Sequence, residues 1–314
     1  MFVQPAPVES KGAVSRAGSV DSYLCPKAAA CREYVAAVST IQDGWASPLL
    51  AAHAAYLRAL PMASCVDVLE FDGLYAVRTG VASNGENGVL STSWSRPSLA
   101  VARQLVAWFA ENGAPASWLC GEGALRSAWA GALEAVGCRS ERAGWEMRAR
   151  LDALDLDAWP IPEDVRVVPV RSEAELDDWL DVAGACGWFD TPEERAAIKL
   201  LNGELAFSPS HEFSVAWHAD TAVGMASAFY TEELALLTSV AVLPAARRQG
   251  TARLLARNRV RAARERGCAL AVLAPSPDGA ALYRTLGFET HRQPPDRWFY
   301  LPLPRPDAAG DRGV

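Results

Sequence analysis

Val240–Leu255 reads VAVLPAARRQGTARLL, and this stretch decides the fold of the half that contains it. An apolar run ends at Pro244, a basic turn follows, and Gly250 stands at the mouth of a helix with apolar positions at Ala252, Ala256, Val260 and Ala263. The first N–H groups of a helix lack an intrahelical acceptor, and the helix dipole adds partial positive charge there. The backbone of Arg248, Gln249, Gly250, Thr251 and Ala252 is therefore placed to receive a diphosphate. Gly250 brings no Cβ, Thr251 and Ala252 are small, and Arg247 and Arg248 supply charge. The same residues also fit an ordinary strand-to-helix turn with solvated arginines, so the flanking elements decide.

Downstream, Ala269–Pro275 (ALAVLAP) reads as a buried strand, DGAALYRTLGF as a short helix, and a last strand pair includes RWFYLPL. Upstream, Phe213–His218, Thr221–Tyr230 and Leu234–Leu243 read as a β-meander with turns at AD and TEE. Before it come two helices. Ser172 opens the first, with Glu175 as capping-box partner and Gly184 as a stop, and Pro192 after Thr191 starts the second. The acidic stretch from Asp152 to Glu163 carries two prolines ahead of the strand-like VRVVPV, which places a domain cut there. The expected layout is a tail over 1–20, one domain over 21–155, a second over 156–305 and a tail over 306–314.

With 314 residues, two domains are the natural reading. A net charge of −7 gives no basic footprint, which argues against nucleic acid as a partner. No window is apolar for long enough to span a membrane, and Met1–Val20 has no continuous apolar core, so a cytoplasmic location is expected. Seven scattered cysteines without a C-x-x-C pair fit reduced thiols, and four dispersed histidines suggest no metal site.

With these elements in place, the second half resembles the GCN5-related N-acetyltransferase (GNAT) family over about residues 160–303. Arg247, Gly250 and Ala252 fill the family's R/Q-x-x-G-x-G/A signature, and Leu282, Tyr283, Leu286, Gly287 and Phe288 fill its L-Y-x-x-L-G-F helix. Ser276 stands where many members carry Asn, at a coenzyme contact. The resemblance implies an α/β (α+β) fold, a mixed and mainly antiparallel sheet flanked by helices, with acetyl-CoA or another acyl-CoA as co-substrate. The pantetheine arm would lie between strands 234–243 and 269–275, and a backbone N–H near Val240, Ala241 or Val242 would hold the thioester oxyanion while an amine attacks directly. Tyr283 would protonate the leaving thiolate; the alternative for it is a core aromatic on an amphipathic helix. Glu232 and Glu233 are candidate bases or simply solvated turn residues, and Ser239 could bond a water or the acceptor. The acceptor pocket is expected from Trp188, Phe189 and Asp190 and from the last hairpin with His291, Asp296 and Trp298; Asp190 either holds a cationic amine or caps the next helix. A small-molecule amine is the expected acceptor. The alternatives are a carrier-protein phosphopantetheine as donor, and an acyl-CoA-binding module without turnover.

The first half echoes the second. Ala132–Met147 (ALEAVGCRSERAGWEM) parallels the stretch around Leu286–Gly287, and laying Gly137 on Gly287 puts Leu133 at the place of Tyr283 and Pro97–Ala102 at that of Arg247–Ala252. Neither the glycine cradle nor the acid has a counterpart there. This half reads as a degenerate copy that packs on the catalytic half and walls the acceptor cleft, with Trp94, Trp108, Trp118, Trp129 and Trp145 offering apolar area.

Overall fold

The predicted meander forms, and turn chemistry sets its ends. In the computed structural model, β8 (His211–His218), β9 (Thr221–Tyr230) and β10 (Leu234–Val242) pair in sequence. Thr231 closes the second turn: its Oγ1 accepts from the Leu234 N–H at 2.9 Å, and its own N–H donates to the Leu234 carbonyl. The first strand begins two residues earlier than its apolar run, because His211 pairs with Phe229. The structure describes residues 47–301 apart from 72, 84, 92–96, 120–123, 141–144 and 293–297. Both tails and Trp94 lie outside the described residues.

Ahead of the meander stand β7 (Val165–Pro169), α4 (Glu173–Ala185) and α5 (Pro192–Leu205). Both helix starts follow the expected chemistry. The Glu175 N–H donates to Ser172 Oγ at 3.3 Å, and Thr191 and Glu194 complete a reciprocal capping box. After the meander come α6 (Thr251–Glu265), β11 (Leu270–Leu273), α7 (Pro277–Thr285), β12 (Glu289–Arg292) and β13 (Trp298–Leu301). The first half supplies α1 (Pro48–Ala59), β1 (Asp67–Phe71), β2 (Leu74–Arg78), β3 (Gly88–Ser91), α2 (Leu99–Ala110), β4 (Ala116–Leu119), α3 (Ala124–Glu134), β5 (Arg139–Ser140) and β6 (Trp145–Arg150).

Two sheets result, with orders β1-β2-β3-β4-β13-β5 and β12-β6-β11-β10-β9-β8-β7. Counted from the paired hairpin strands, the two orders match: three antiparallel strands, one parallel neighbour (β4 beside β3, β11 beside β10), then an inserted strand and a final one. The repeat reaches the hydrogen bonds. Gly137 and Gly287 both have φ of 89°, and the N–H that follows each reaches back to Leu133 and to Tyr283 at 3.0 Å.

The inserted strands are exchanged, which corrects the expected last strand pair. Trp145–Arg150 pairs with β11 and β12 in the second sheet, whereas Trp298–Leu301 pairs with β4 and β5 in the first. Local patterning favours a hairpin of RWFYLPL with its neighbour, but hydrogen bonding across the two halves wins. The cut at 155/156 separates stretches of chain, and the sheets cross it.

Helix α1 lies between the sheets. Leu50, Ala54 and Leu57 join a core containing Tyr75, Val77 and Leu90 from the first half and Leu176, Phe213 and Met225 from the second. Leu49, Ala52 and Ala55 cover Phe229, Leu234, Leu236 and Val272. The approach is close, since a Cβ at Gly88 would stand 2.7 Å from Leu57 Cδ1. Beneath α6, fully buried Arg259 pairs with Glu212 at 2.6 Å, shared with Arg266, which lies over Tyr230.

His211 is buried and His53 half-buried on the α1 face, and desolvation lowers them to about 3 (His211) and about 4 (His53). The unfolded chain takes up these protons near pH 6.5 and the folded chain does not. Stability contributed by their neutral forms is present above pH 6.5 and is lost as pH falls toward 4, at about 1.4 kcal/mol per histidine per pH unit. Denaturant midpoints measured from pH 7 to 4 should show this slope, and His211→Gln should flatten it. An unchanged slope in that variant would assign the acid sensitivity elsewhere.

Candidate active site

Strands β10 and β11 run parallel, yet only Leu234, Ala235 and Leu236 of β10 are partnered, by Leu270, Ala271 and Val272 respectively. From Leu237 onward the β11 side of β10 has no strand partner among the described residues. On its other side the register to β9 slips between Thr238 and Ala241, and Ser239 takes a left-handed φ of 56°. A bulge with unusual backbone therefore sits where the two strands part, leaving Val240, Ala241 and Val242 beyond it.

The parted strand leads into the cradle. Gly250 is the residue before α6 and has φ of 91°, a conformation that only glycine adopts freely. Among the described residues, the backbone N–H groups of Arg248 to Ala252 have no backbone acceptor. Arg248 is exposed with φ of 67°, Arg247 donates from Nε to the Val242 carbonyl at 3.1 Å, and Gln249 donates from Nε2 to the Ala245 carbonyl at 3.1 Å. The Arg247 and Gln249 side chains brace the turn. Thr251 is 2% exposed, and its hydroxyl has no partner among the described residues. The donor set and charge fit a diphosphate, and the space at Gly250 also faces the linker. The missing Cβ points at Pro162, whose Cδ would lie 3.1 Å away, so the absent side chain admits the linker between the halves. Arg253 to the Pro160 carbonyl (3.0 Å) and Arg257 to Asp157 (2.8 Å) fix that linker along the first turns of α6.

Tyr283 comes from α7. It is 7% exposed, meets Phe288 edge-on at 5.3 Å and shares a core with Leu237 and Leu273, the residues at which the strands part. Burial pushes its phenol well above the ordinary value, so it holds its proton at neutral pH. Ser276 caps α7, its Oγ accepting from the Gly279 N–H at 3.1 Å. Ser227 and Thr238 share a 2.8 Å hydroxyl contact beside the bulge.

The glutamates expected as bases are elsewhere. Glu232 and Glu233 are exposed at the hairpin where β10 and β11 are still joined, with the Ala269 N–H on the Glu233 carbonyl at 2.9 Å. At about 3.3 Å per residue, that is roughly 20 Å along the strand from the bulge. Trp188 is 45% exposed and meets Trp179 edge-on, Phe189 packs on Gly184, and Asp190 is exposed one residue before the true cap, Thr191. Asp190 gives its N–H to Glu194, so its carboxylate is not the cap. His291 is on β12 opposite Glu146 of β6. Asp296 lies outside the described residues, and Trp298 belongs to the first sheet. Glu146, which accepts from the Ser47 hydroxyl, reaches the second sheet only through the strand exchange, and no local pattern in the sequence marks it. In the first half, Leu133 fills the place of Tyr283 and is fully buried, and α2 starts after Ser98 without a glycine.

The second sheet is mixed, and its central parallel strands part beside a donor-rich helix start. Residues 173–288 match the model of the acetyltransferase (GNAT) family, and the chain carries an acetyltransferase domain of that family. A GCN5-related N-acetyltransferase from Kribbella flavida is similar in structure with a TM-score of 0.58 and 18% identity, covering 84% of this chain and 98% of that one. A functionally unknown conserved protein from Staphylococcus epidermidis is similar at TM-score 0.51 and 14% identity, covering 74% of this chain and 90% of that one. The first likeness extends across both halves, so the two-sheet fold is shared and not only the matched domain. No curated protein matches the chain. Among the described residues, no helix is long and apolar enough to cross a membrane, and no group of three His, Cys, Asp or Glu could hold a metal ion.

Proposed function

We propose that the second half transfers an acetyl or other short acyl group from a coenzyme A thioester to a primary amine of a small molecule, by direct attack. The observation that carries this reading is the parting of β10 and β11 after Leu236 and Val272, directly continuous with the free N–H groups of Arg248 to Ala252. Unpaired strand edges give an extended pantetheine arm backbone partners, and the helix start with Arg248 takes the diphosphate. Backbone N–H groups beyond the bulge, at Val240 to Val242, stabilise negative charge on the thioester oxygen as the amine adds. Tyr283 returns a proton to the departing sulfur.

Coenzyme A should raise the melting temperature of the full chain and bind once, because the first half has Pro97 and Ser98 where the second has its glycine turn. A ligand at 100 times its Kd stabilises the native state by about 2.7 kcal/mol. Gly250→Glu should abolish that shift. Since it also strains the turn against Pro162, Arg248→Glu serves as a second variant that leaves the fold intact and weakens binding. Calorimetry showing two equivalents, or a parent protein unmoved by millimolar coenzyme A, would refute the reading. Thiol release from acetyl-CoA with a panel of amines separates an enzyme from a binding module.

A further inference from the structure

The exchanged strand carries a buried carboxylate of the first half into the second sheet. Glu146 is on β6 and is 2% exposed. Met147 pairs with Leu273, so Glu146 stands one residue past the last partnered position of β11, at the level where β10 and β11 part. Arg148 pairs with Val272, and Val272 packs under α1. Alternation puts Glu146 on that same α1 face, opposite the face that holds Tyr283 and α6.

Its two oxygens differ. Oε2 accepts from the hydroxyl of Ser47, the residue that caps α1, whereas Oε1 is buried with no hydrogen-bond partner among the described residues. No Lys, Arg or His nitrogen is within ion-pair distance of it among the described residues. Directly opposite, His291 turns to Glu289 at 3.3 Å. A buried carboxylate oxygen left unmatched is costly, and such atoms in native proteins are commonly matched by something the working molecule binds.

We propose that Glu146 receives the acceptor amine, an assignment that rests on the acyl-transfer reading above. The first half then contributes a reacting group as well as a wall. The amine nitrogen bonds to the thioester carbonyl carbon and the carbon–sulfur bond breaks. The proton lost by nitrogen passes to Glu146 Oε1 and on to water, and the sulfur takes the phenolic proton of Tyr283, which water replaces. A buried anion selects alkylamines with no carboxylate or phosphate beside the nitrogen.

The competing role is a pin for the start of α1 through Ser47. Glu146→Gln, Glu146→Asp and Ser47→Ala in the full chain distinguish the two. Thiol release from acetyl-CoA is followed with a panel of primary alkylamines and with water alone, beside melting temperatures with and without coenzyme A. Glu146→Gln should lower kcat/KM for the amine about 100-fold, within the range for losing a general base, with the coenzyme A shift unchanged. Glu146→Asp should recover part of the activity, and Ser47→Ala should lower the melting temperature while turnover stays within about threefold, as expected of a lost helix cap. Turnover by Glu146→Gln equal to the parent overturns the proposal, as do equal losses of stability and turnover in the Gln and Ser47→Ala variants. If the Gln variant does not fold, lowered but measurable turnover in Glu146→Asp at an unchanged coenzyme A shift, together with full activity in Ser47→Ala, supports it, and parent-like turnover in Glu146→Asp or an inactive Ser47→Ala overturns it. A parent that does not bind coenzyme A, or binds it and releases no thiol with any amine, overturns the acyl-transfer reading; a parent that turns over and is matched by Glu146→Gln overturns the Glu146 role alone.

Discussion

A chain beginning at Asp157 is expected to give no soluble, active acetyltransferase, although it contains the whole region that matches the family. It lacks β6, so β11 presents an open edge and β12 loses its only partner in the second sheet. It lacks α1, so Phe229, Leu234, Leu236 and Val272 face water. It keeps β13 but none of the strands β13 pairs with. Leu49, Leu50, Leu57 and Leu60 of the missing segment are each 4% exposed or less, and their burial represents roughly 6–12 kcal/mol. That is comparable with the whole stability of a typical domain, about 5–15 kcal/mol. Soluble yield, a cooperative melting transition and thiol release measure the outcome. A monomeric, folded and active fragment would show that the strand exchange is dispensable and that the first half is an appendage.

Local chemistry explains which parts of this molecule are legible in the sequence. Caps at Ser172 and Thr191, the left-handed glycines 250 and 287, and the meander all depend on interactions within a few residues, and each is where its residues place it. The repeat is legible for the same reason: Gly137 and Gly287 close equivalent helices with equivalent hydrogen bonds. Partner choice between distant strands leaves no such mark. WEMRAR and WFYL are both short strands opening on tryptophan, and nothing in either says whether it will join β4 or β11. The misplacement of Trp298 follows from that, and no local pattern marks Glu146, which is 99 residues from Ser47 in the chain. Glu232 and Glu233 are near the central strand in sequence, but a strand of nine residues carries its start far from its bulge. Gly250 reads locally as space for phosphate; its φ carries the signal, and the space also faces Pro162, which no local pattern could reveal.

Replacing Tyr283 with Phe should lower turnover by about 10²- to 10⁴-fold, the range for losing a general acid. In barrier height that is about 2.7–5.4 kcal/mol. The ring would stay where it is, edge-on to Phe288 within the core, so the melting temperature and the shift produced by coenzyme A should match those of the parent. Two features of the site make the hydroxyl the part that matters. The ring belongs to the same core cluster as Leu237 and Leu273, the residues at which β10 and β11 part and between which a thioester laid there would pass. Burial also raises the phenol, so the parent keeps the acid in its protonated form throughout the neutral range, and activity should show no alkaline decline from this group below about pH 10, the ordinary tyrosine value. The first half offers an internal comparison, because Leu133 occupies the equivalent position with the same helix-closing hydrogen bond and has no proton to give. Steady-state kcat for Tyr283→Phe, measured at saturating acetyl-CoA, decides the matter. Turnover equal to the parent would mean that water protonates the thiolate and that Tyr283, like Leu133, only fills the core.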